Sequence, residues 1–394
     1  MLAHANASPP TLRAEILAIG TELLLGEILD TNTRVIARAL RETGIDLFRT
    51  TTVGDNADRI AEALRDCLQR ADVVITTGGL GPTIDDVTRA GIARAFRVEL
   101  KYHSELWLQI EERFRRFHRT PTENNRRQAM LPEHAQAIDN PIGTAPGFIL
   151  AQQAKTVIAL PGVPAEMVCL LEQRVIPYLK AHSREKAVIL PRLLHLAGVG
   201  ESWVDERIRD LEASANPTVG LAAHPGQVDI RITAKATTTE AAMDMLDAME
   251  STLRDRLGDA IFGIDEESLS ATVSQHLRNT DVKLLLVENG TNDCVAAALG
   301  ERLDDLIQVD HQDCPENDTD IDALLRARLA EDGRLGAAFC ISLDKKGDRF
   351  QLRLRLQTRN GTHQRVRYFG GADTLACQWA TQTALDFLRR IRDW

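Results

Sequence analysis

Over the first 180 positions, apolar residues follow two alternating patterns. "AEILAI" (14–19), "IDLFRTTTV" (45–53), "DVVITT" (72–77) and "KTVIAL" (155–160) are short runs rich in apolar and β-branched residues, a pattern that predicts strands. Between them, "NTRVIARALRETG" and "ADRIAEALRDCLQRA" place apolar residues every three or four positions, which predicts amphipathic helices. Gly44 stands where the first of these needs a left-handed residue to end. "HSELWLQIEERFRRFHR" predicts another helix, and "PGVP" (161–164) leads into one reaching about Lys180. Strands alternating with helices of this length predict a largely parallel sheet covered on both faces, a three-layer α/β/α domain over residues 14–182.

Beyond it the pattern changes. Residues 183–264 carry "AVILPRLLHLAGV", a helix in "ESWVDERIRDLEA", a strand pair around "VDIRITAKA" and a helix in "TEAAMDMLDAMESTLRDRL", which predicts a small α+β domain. Residues 265–394 predict a second α/β domain. It has a helix, a strand "VKLLLV", a helix, two β-type runs ("LGAAFCISLD", "FQLRLRLQT") and a closing helix whose stripe of Leu375, Trp379, Ala380, Ala384, Phe387, Leu388 and Ile391 suits packing. Residues 1–13, "MLAHANASPPTLR", have neither the charged start nor the apolar core of a leader and are expected to be a disordered tail.

Composition narrows the function classes. The chain has 394 residues, 44% of them hydrophobic, and a net charge of -10, so bulk attraction to nucleic acid or anionic membrane is not expected. No apolar run approaches the roughly 18 residues that span a bilayer. Six scattered cysteines with no CxxC point to reduced thiols, a cytoplasmic setting and no cysteine-based zinc site. His311, Cys314 and the aspartates of "VDHQDCPENDTDID" (309–322) suit a solvated loop better than a metal.

Ligands of a parallel sheet collect at the carboxyl ends of its strands. Gly20, Thr21 and Glu22 follow the first strand, Asp55 and Asn56 the second, and Gly78, Gly79, Gly81, Thr83, Asp85 and Asp86 the third. "PGVPAEM", with Gly162 and Glu166, follows another. Thr83 and Asp86 satisfy a capping box with Thr83 as helix N-cap. That pattern leaves Asp85 and the paired glycines unexplained. Backbone N–H groups at the turn would cradle a phosphate, with the aspartates holding a divalent cation against it. Ile84 breaks a GxGxxG, and no GxxxxGK[ST] occurs. Asn124, Gln128, Asn140, Gly143 and Thr144 lie in a segment whose amides suit a base edge or ribose hydroxyls, and suit turns equally well. Arg113, Arg115, Arg116, Arg119, Arg126 and Arg127 suit a solvated helix face better than a phosphate site.

"AEILAIGTELLLGEILDTNT", "VGDN", "TTGGLGPTIDDVTR", "NNRRQAMLP", "NPIGTAPGF" and "LPGVPAEM" together resemble the amino-terminal domain of the competence/damage-inducible CinA family, itself related to molybdopterin-binding proteins. "GVGES" and "NPTVGLAAHPGQVDIRITAKA" are similar to the family's KH-type middle domain. The resemblance implies metal-dependent hydrolysis of ADP-ribose to AMP and ribose 5-phosphate. Gly78–Gly81 would hold the diphosphate, Asp85 and Asp86 would bind Mg²⁺, Mn²⁺ or Co²⁺ (with K⁺ as a possible addition), and Asp55, Glu22 or Glu166 would assist water. It also implies a homodimer. Two alternatives stand beside it: nucleotidyl transfer to a pterin, and nucleotide binding without turnover. His134 occupies a place where the family usually has a small residue or glycine.

The family's last domain is typically a nicotinamide-mononucleotide deamidase, with an approximate signature A-E-S-C-T-G-G and the serine as nucleophile. The corresponding segment is "VENGTND" (287–293): Asn289 replaces the serine, while Asn292 and Asp293 replace the glycines. An amide has no O–H for a base to activate, so this domain is expected to be a degenerate, inactive relative.

Overall fold

The computed structural model describes residues 12–116, 118–183, 187–280, 282–303, 306–310, 315, 317–392 and 394. The chain divides into two compact units, one running to residue 190 and including 235–242, the other comprising 191–234 and 243–394.

The strands of the first unit are β1 (Arg13–Ile19), β2 (Asp46–Val53), β3 (Val73–Thr77), β4 (Leu100–Tyr102), β5 (Met130–Pro132), β6 (Gln136–Ile138), β7 (Gly147–Gln152) and β8 (Lys155–Leu160). Six of them form a sheet in the order β2-β1-β3-β8-β7-β6, with β4 and β5 pairing separately. β2, β1, β3 and β8 are parallel, and β7 and β6 extend the sheet in antiparallel fashion. Successive side chains feed two cores. Val74 joins Leu17, Leu64 and Phe148 on one face, while Val73 and Ile75 join Ile16, Ile36, Leu40 and Met167 on the other. Burial on both faces is why β1, β3 and β8 are largely apolar, while β2 at the sheet edge is half-exposed and carries "RTTT".

The helix Thr31–Glu42 is capped by Asp30, whose carboxylate accepts from the Thr33 N–H at 2.9 Å. Asn56 caps Ala57–Arg70, accepting from the N–H groups of Asp58 and Arg59 at 3.1 and 3.0 Å. Gly44 ends the first helix at φ 73°. Pro164–His182 is continuously helical, with a π turn over Leu171–Val175.

The second unit holds two sheets. β9 (Val188–Ala197, which begins in the first unit's span), β10 (Thr218–His224), β11 (Gln227–Ala236) and β12 (Ile261–Ile264) form one, in the order β10-β11-β9-β12. β13 (Leu284–Asn289), β14 (Ile307–Asp310), β15 (Ala337–Lys346), β16 (Arg349–Thr358) and β17 (Thr362–Gly370) form the other, in the order β14-β13-β15-β16-β17. β14, β13 and β15 are parallel, and β16 and β17 are antiparallel. The closing helix Asp373–Arg389 buries Ala380, Ala384 and Leu388 against β15 and β16 residues such as Phe339 and Leu354.

Several features depart from the sequence expectations. β17 escaped recognition because, at the sheet edge, its "THQRVRYFG" is mostly exposed and carries no apolar run. Asp318–Glu331 is a helix capped by Asn317, so the end of the charged segment is not loop, while His311 and Cys314 lie outside the described residues. The expected tail falls largely on residues 1–11, also outside them, and Arg13 opens β1. Cys67, Cys169, Cys294 and Cys377 are free as expected, but Cys340 is disulfide-bonded. Among the described residues no helix is long and apolar enough to cross a membrane.

Gly78 links this sheet to the chemistry above it. Its φ is +107°, and a Cβ there would stand 2.0 Å from the Ile19 carbonyl oxygen. Gly78→Ala is therefore expected to cost more than about 1 kcal/mol, read as a lower denaturant midpoint of the first unit.

Candidate active site

The parallel strands deliver their following loops to one edge of the sheet, where a cleft of about 440 Å³ opens. Gly20 and Glu22 reach it from β1, and Asp55 from β2. Gly78, Gly79, Gly81, Thr83, Asp85 and Asp86 arrive from β3, and Gly162 and Glu166 from β8. Gln128 and Thr144 complete the expected lining residues.

Thr21, Asn140 and Gly143 support these walls. Asp55 Oδ2 accepts from the Thr21 N–H at 2.7 Å and its hydroxyl at 2.8 Å, tying the ends of β1 and β2 together. Asn140 is fully buried, accepting from the Gly143 N–H at 3.0 Å and donating to Ala145 O at 2.8 Å and Glu166 Oε2 at 2.6 Å. A Cβ on Gly143 would collide with the Glu166 carboxylate. Gln128 donates to Thr144 Oγ1 at 3.2 Å. Asn124 is not among the cleft-lining residues: it is exposed and accepts from the Thr122 hydroxyl.

The expectation for Thr83 needs correction. The helix begins at Thr88, five residues later, so Thr83 is not its N-cap. Asp86 instead folds back onto the turn, accepting from the Gly81 N–H at 2.7 Å, the Thr83 N–H at 2.8 Å and the Thr83 hydroxyl. The Thr83 hydroxyl has one proton to share between the two aspartates. That hydroxyl and its own N–H hold the exposed Asp85 carboxyl below the usual carboxylate range, so it stays ionised.

The residues that brace the turn carry little sequence signal. The Thr88 hydroxyl donates to Gly78 O at 2.8 Å. Arg89 is buried and donates to Leu80 O at 2.7 Å, its pKa pushed down to about 10 by burial against the pull of Asp86. Arg127 and Arg113 likewise support loops, donating to Thr83 O at 3.2 Å and Gly143 O at 3.0 Å. Asn32 ties Thr77 to Gly162, donating to Thr77 Oγ1 at 3.0 Å and Gly162 O at 2.8 Å. "VTR", directly after the paired aspartates, is the local sequence that carries Thr88 and Arg89.

Two chemical properties follow. The Gly78 N–H is bound to Leu160 O and that of Gly81 to Asp86, which leaves the N–H groups of Gly79 and Leu80 without partners among the described residues. The lining also contains five carboxylates (Glu22, Asp55, Asp85, Asp86, Glu166) and no Lys, Arg or His. Glu22 alone among the five has no hydrogen-bond or ion-pair partner among the described residues.

Known families agree with this architecture. The family described as "Probable molybdopterin binding domain" matches residues 15–181, and "Damage-inducible protein CinA KH domain" matches 191–263. A "Putative competence-damage inducible protein" of Halothermothrix orenii is 40% identical over 293 residues, 74% of this chain and 70% of that protein. A "CinA-like protein" of Synechococcus sp. (strain CC9311) is 42% identical over 290 residues, 73% and 68% of the respective chains. The chain belongs to the CinA family.

The solved structure of "the protein CinA with unknown function" from Thermoplasma acidophilum is 35% identical, covering 42% of this chain and 97% of its own, at TM-score 0.39. The molybdopterin biosynthesis enzyme MoaB of Thermus thermophilus is 18% identical over 43% of this chain and 97% of its own, at TM-score 0.29. Scores at that level carry no weight for the site's chemistry. His134 has φ 69°, a left-handed conformation that favours glycine.

In the second unit, β13 ends in a different turn. Asn289 closes the strand, and Gly290, Asn292 and Asp293 adopt φ of 75°, 50° and 56°. The Glu288 carboxylate accepts from the N–H groups of Val295 and Ala296 at 3.2 and 2.6 Å and from the Thr291 hydroxyl at 2.6 Å. The N-terminus of the following helix is thus already supplied with an anion from the chain itself.

Asp86→Ala removes the acceptor of both N–H groups. It is expected to lower stability by about 2 kcal/mol, since hydrogen bonds to a charged group are worth roughly 1.5–3 kcal/mol. Asp86→Asn, which keeps one oxygen, should lose less. Thermal melts of the two variants check the order.

Proposed function

We propose that the first unit hydrolyses the diphosphate of ADP-ribose, or of a close relative, to AMP and ribose 5-phosphate with the help of a divalent cation. The observation that carries this reading is the charge of the cleft. Five carboxylates and no basic side chain line a site whose glycine turn offers the unpartnered N–H groups of Gly79 and Leu80. Such a site repels a bare diphosphate and suits one that arrives with a cation.

Among the described residues no three His, Cys, Asp or Glu side chains form a metal-holding group. Mg²⁺-type binding commonly uses one or two carboxylates together with substrate phosphates and water. Asp85, ionised and exposed, would be the principal protein ligand. Asp86 adds charge beside it while its oxygens hold the turn. The cation, when bound, would neutralise phosphate charge and lower the pKa of a coordinated water.

The chain's own residues divide the remaining work. Gly79 and Leu80 N–H groups orient the phosphate oxygens. Asp55 and Glu166 are tied to Thr21 and Asn140, so they shape the wall more than they move protons. Glu22 has the least committed carboxylate and is our choice for accepting the proton of the attacking water. The third domain, with Asn289 at the nucleophile's place and Glu288 on the helix N-terminus, would not deamidate nicotinamide mononucleotide.

Purified protein with Mg²⁺, Mn²⁺ or Co²⁺ and K⁺ should release AMP from ADP-ribose, as followed by chromatography. Glu22→Gln should lower kcat about 100-fold, the lower range for losing a general base, and Asp85→Asn should raise the metal concentration required. No AMP with any of these metals would sink the proposal. Ammonia release from nicotinamide mononucleotide would overturn the assignment of the third domain.

A further inference from the structure

In the second unit a pocket of about 530 Å³ opens beside the turn that follows β13. His224, Gln227 and Asp229 of the β10–β11 hairpin line one side, and Cys294, Cys377 and Thr381 line the other. Cys294 opens the helix Cys294–Leu303, and Cys377 lies near the start of the closing helix. Both are bonded to one carbonyl. Thr291 O accepts from the Cys294 N–H at 3.2 Å and from the Cys377 thiol at 3.4 Å. Their neighbours Val295 and Ala376 belong to one core, so the two helices pack side by side. Two free, partly exposed thiols from distant parts of the chain thus meet on a pocket wall.

A cysteine at a helix start is ordinarily activated, because the free N–H groups there favour its thiolate. Here those groups are already filled, since the Glu288 carboxylate accepts from the N–H groups of Val295 and Ala296. Burial, then a hydrogen bond with the Cys377 thiol and the charges of Glu288 and Asp293, push the Cys294 thiol up to about 11. Cys294 is therefore neutral near pH 7 and a poor first nucleophile. It is an equally poor leaving group, because thiols of high pKa depart slowly from a disulfide.

We propose that Cys294 and Cys377 form a dithiol site, which small-molecule disulfides oxidise to an intrachain disulfide that latches the turn after β13 to the closing helix. In the first step the Cys377 sulfur, as thiolate, attacks one sulfur of the small disulfide. A mixed S–S bond forms, the original S–S bond breaks, and its other half leaves as a thiolate. In the second step the Cys294 sulfur, as thiolate, attacks Cys377 and displaces the half still attached. The two thiol protons end on the two released small thiols, so the protein loses two electrons and the small disulfide gains them. The pocket admits the oxidant to Cys377 and lets its halves leave. Since Cys294 both ionises and departs with difficulty, the latch closes slowly and, once closed, opens slowly.

The test incubates the full chain with oxidised glutathione, quenches it with an alkylating agent and maps the peptides by mass spectrometry. A peptide pair joined through Cys294 and Cys377, lighter by two hydrogens and carrying no glutathione, is expected. Cys294→Ser should stop after the first step and retain glutathione on Cys377. The rate of linkage should rise about tenfold from pH 7 to pH 8, following the thiolate fraction. A second measurement needs no variant: the oxidised chain should unfold at a higher denaturant concentration than the untreated chain, because the bond restricts the unfolded state. Glutathione retained on wild-type Cys377 without linkage, no modification of either cysteine, or a lower denaturant midpoint after oxidation overturns the proposal.

Discussion

Parallel pairing of β2, β1, β3 and β8 is the constraint on which the site depends. Parallel strands place all their carboxyl ends on one edge, so four loops far apart in sequence must meet there. The register is held from both faces by two separate cores, and slipping a strand by one residue would exchange its inward residues between them. The antiparallel β7 and β6 do not contribute ends to this edge in the same way; the segment joining them supplies Thr144 instead.

On this frame the loops are held mainly by side chains bonded to backbone. Asp86 takes the N–H groups of its own turn, Arg89 and Thr88 take its carbonyls, and Asn140 does both for the neighbouring loop. Several acidic residues at the site therefore have structural work. The carboxylates facing the cleft differ in how freely they can act, and the difference lies in their partners rather than in residue type.

The two units contain contrasting versions of a strand, a turn with left-handed residues and a helix. After β3 the turn leaves the N–H groups of Gly79 and Leu80 without partners among the described residues. After β13 the Glu288 carboxylate occupies the helix start, and Asn292 and Asp293 hold left-handed conformations without being glycine. At the second place the chain's own Glu288 carboxylate takes up the N–H groups at the helix start.

The four parallel strands of the first unit and the helices Thr31–Glu42 and Ala57–Arg70 were legible from their apolar runs and amphipathic spacing, whereas β4, β5, β6 and β7 were not. The four ligand loops followed from strand direction alone. The edge strand β17 was not legible, since an exposed edge imposes no apolar pattern, and neither was the helix start at Thr88. Thr83 and Asp86 have the spacing of a capping box, but the same spacing closes a turn, and only the fold decides which backbone N–H groups face the carboxylate. The amino-acid sequence by itself determined the family, the fold class and the gathering of glycines and carboxylates at one sheet edge. Tertiary structure alone decided which carboxylates are committed, that Asn124 stands outside the cleft, and that Asn32 carries a buried acceptor with no donor among the described residues. Those facts depend on pairings across 26 to 130 residues, such as Asn140 with Glu166 and Asn32 with Gly162, for which local pattern carries no signal.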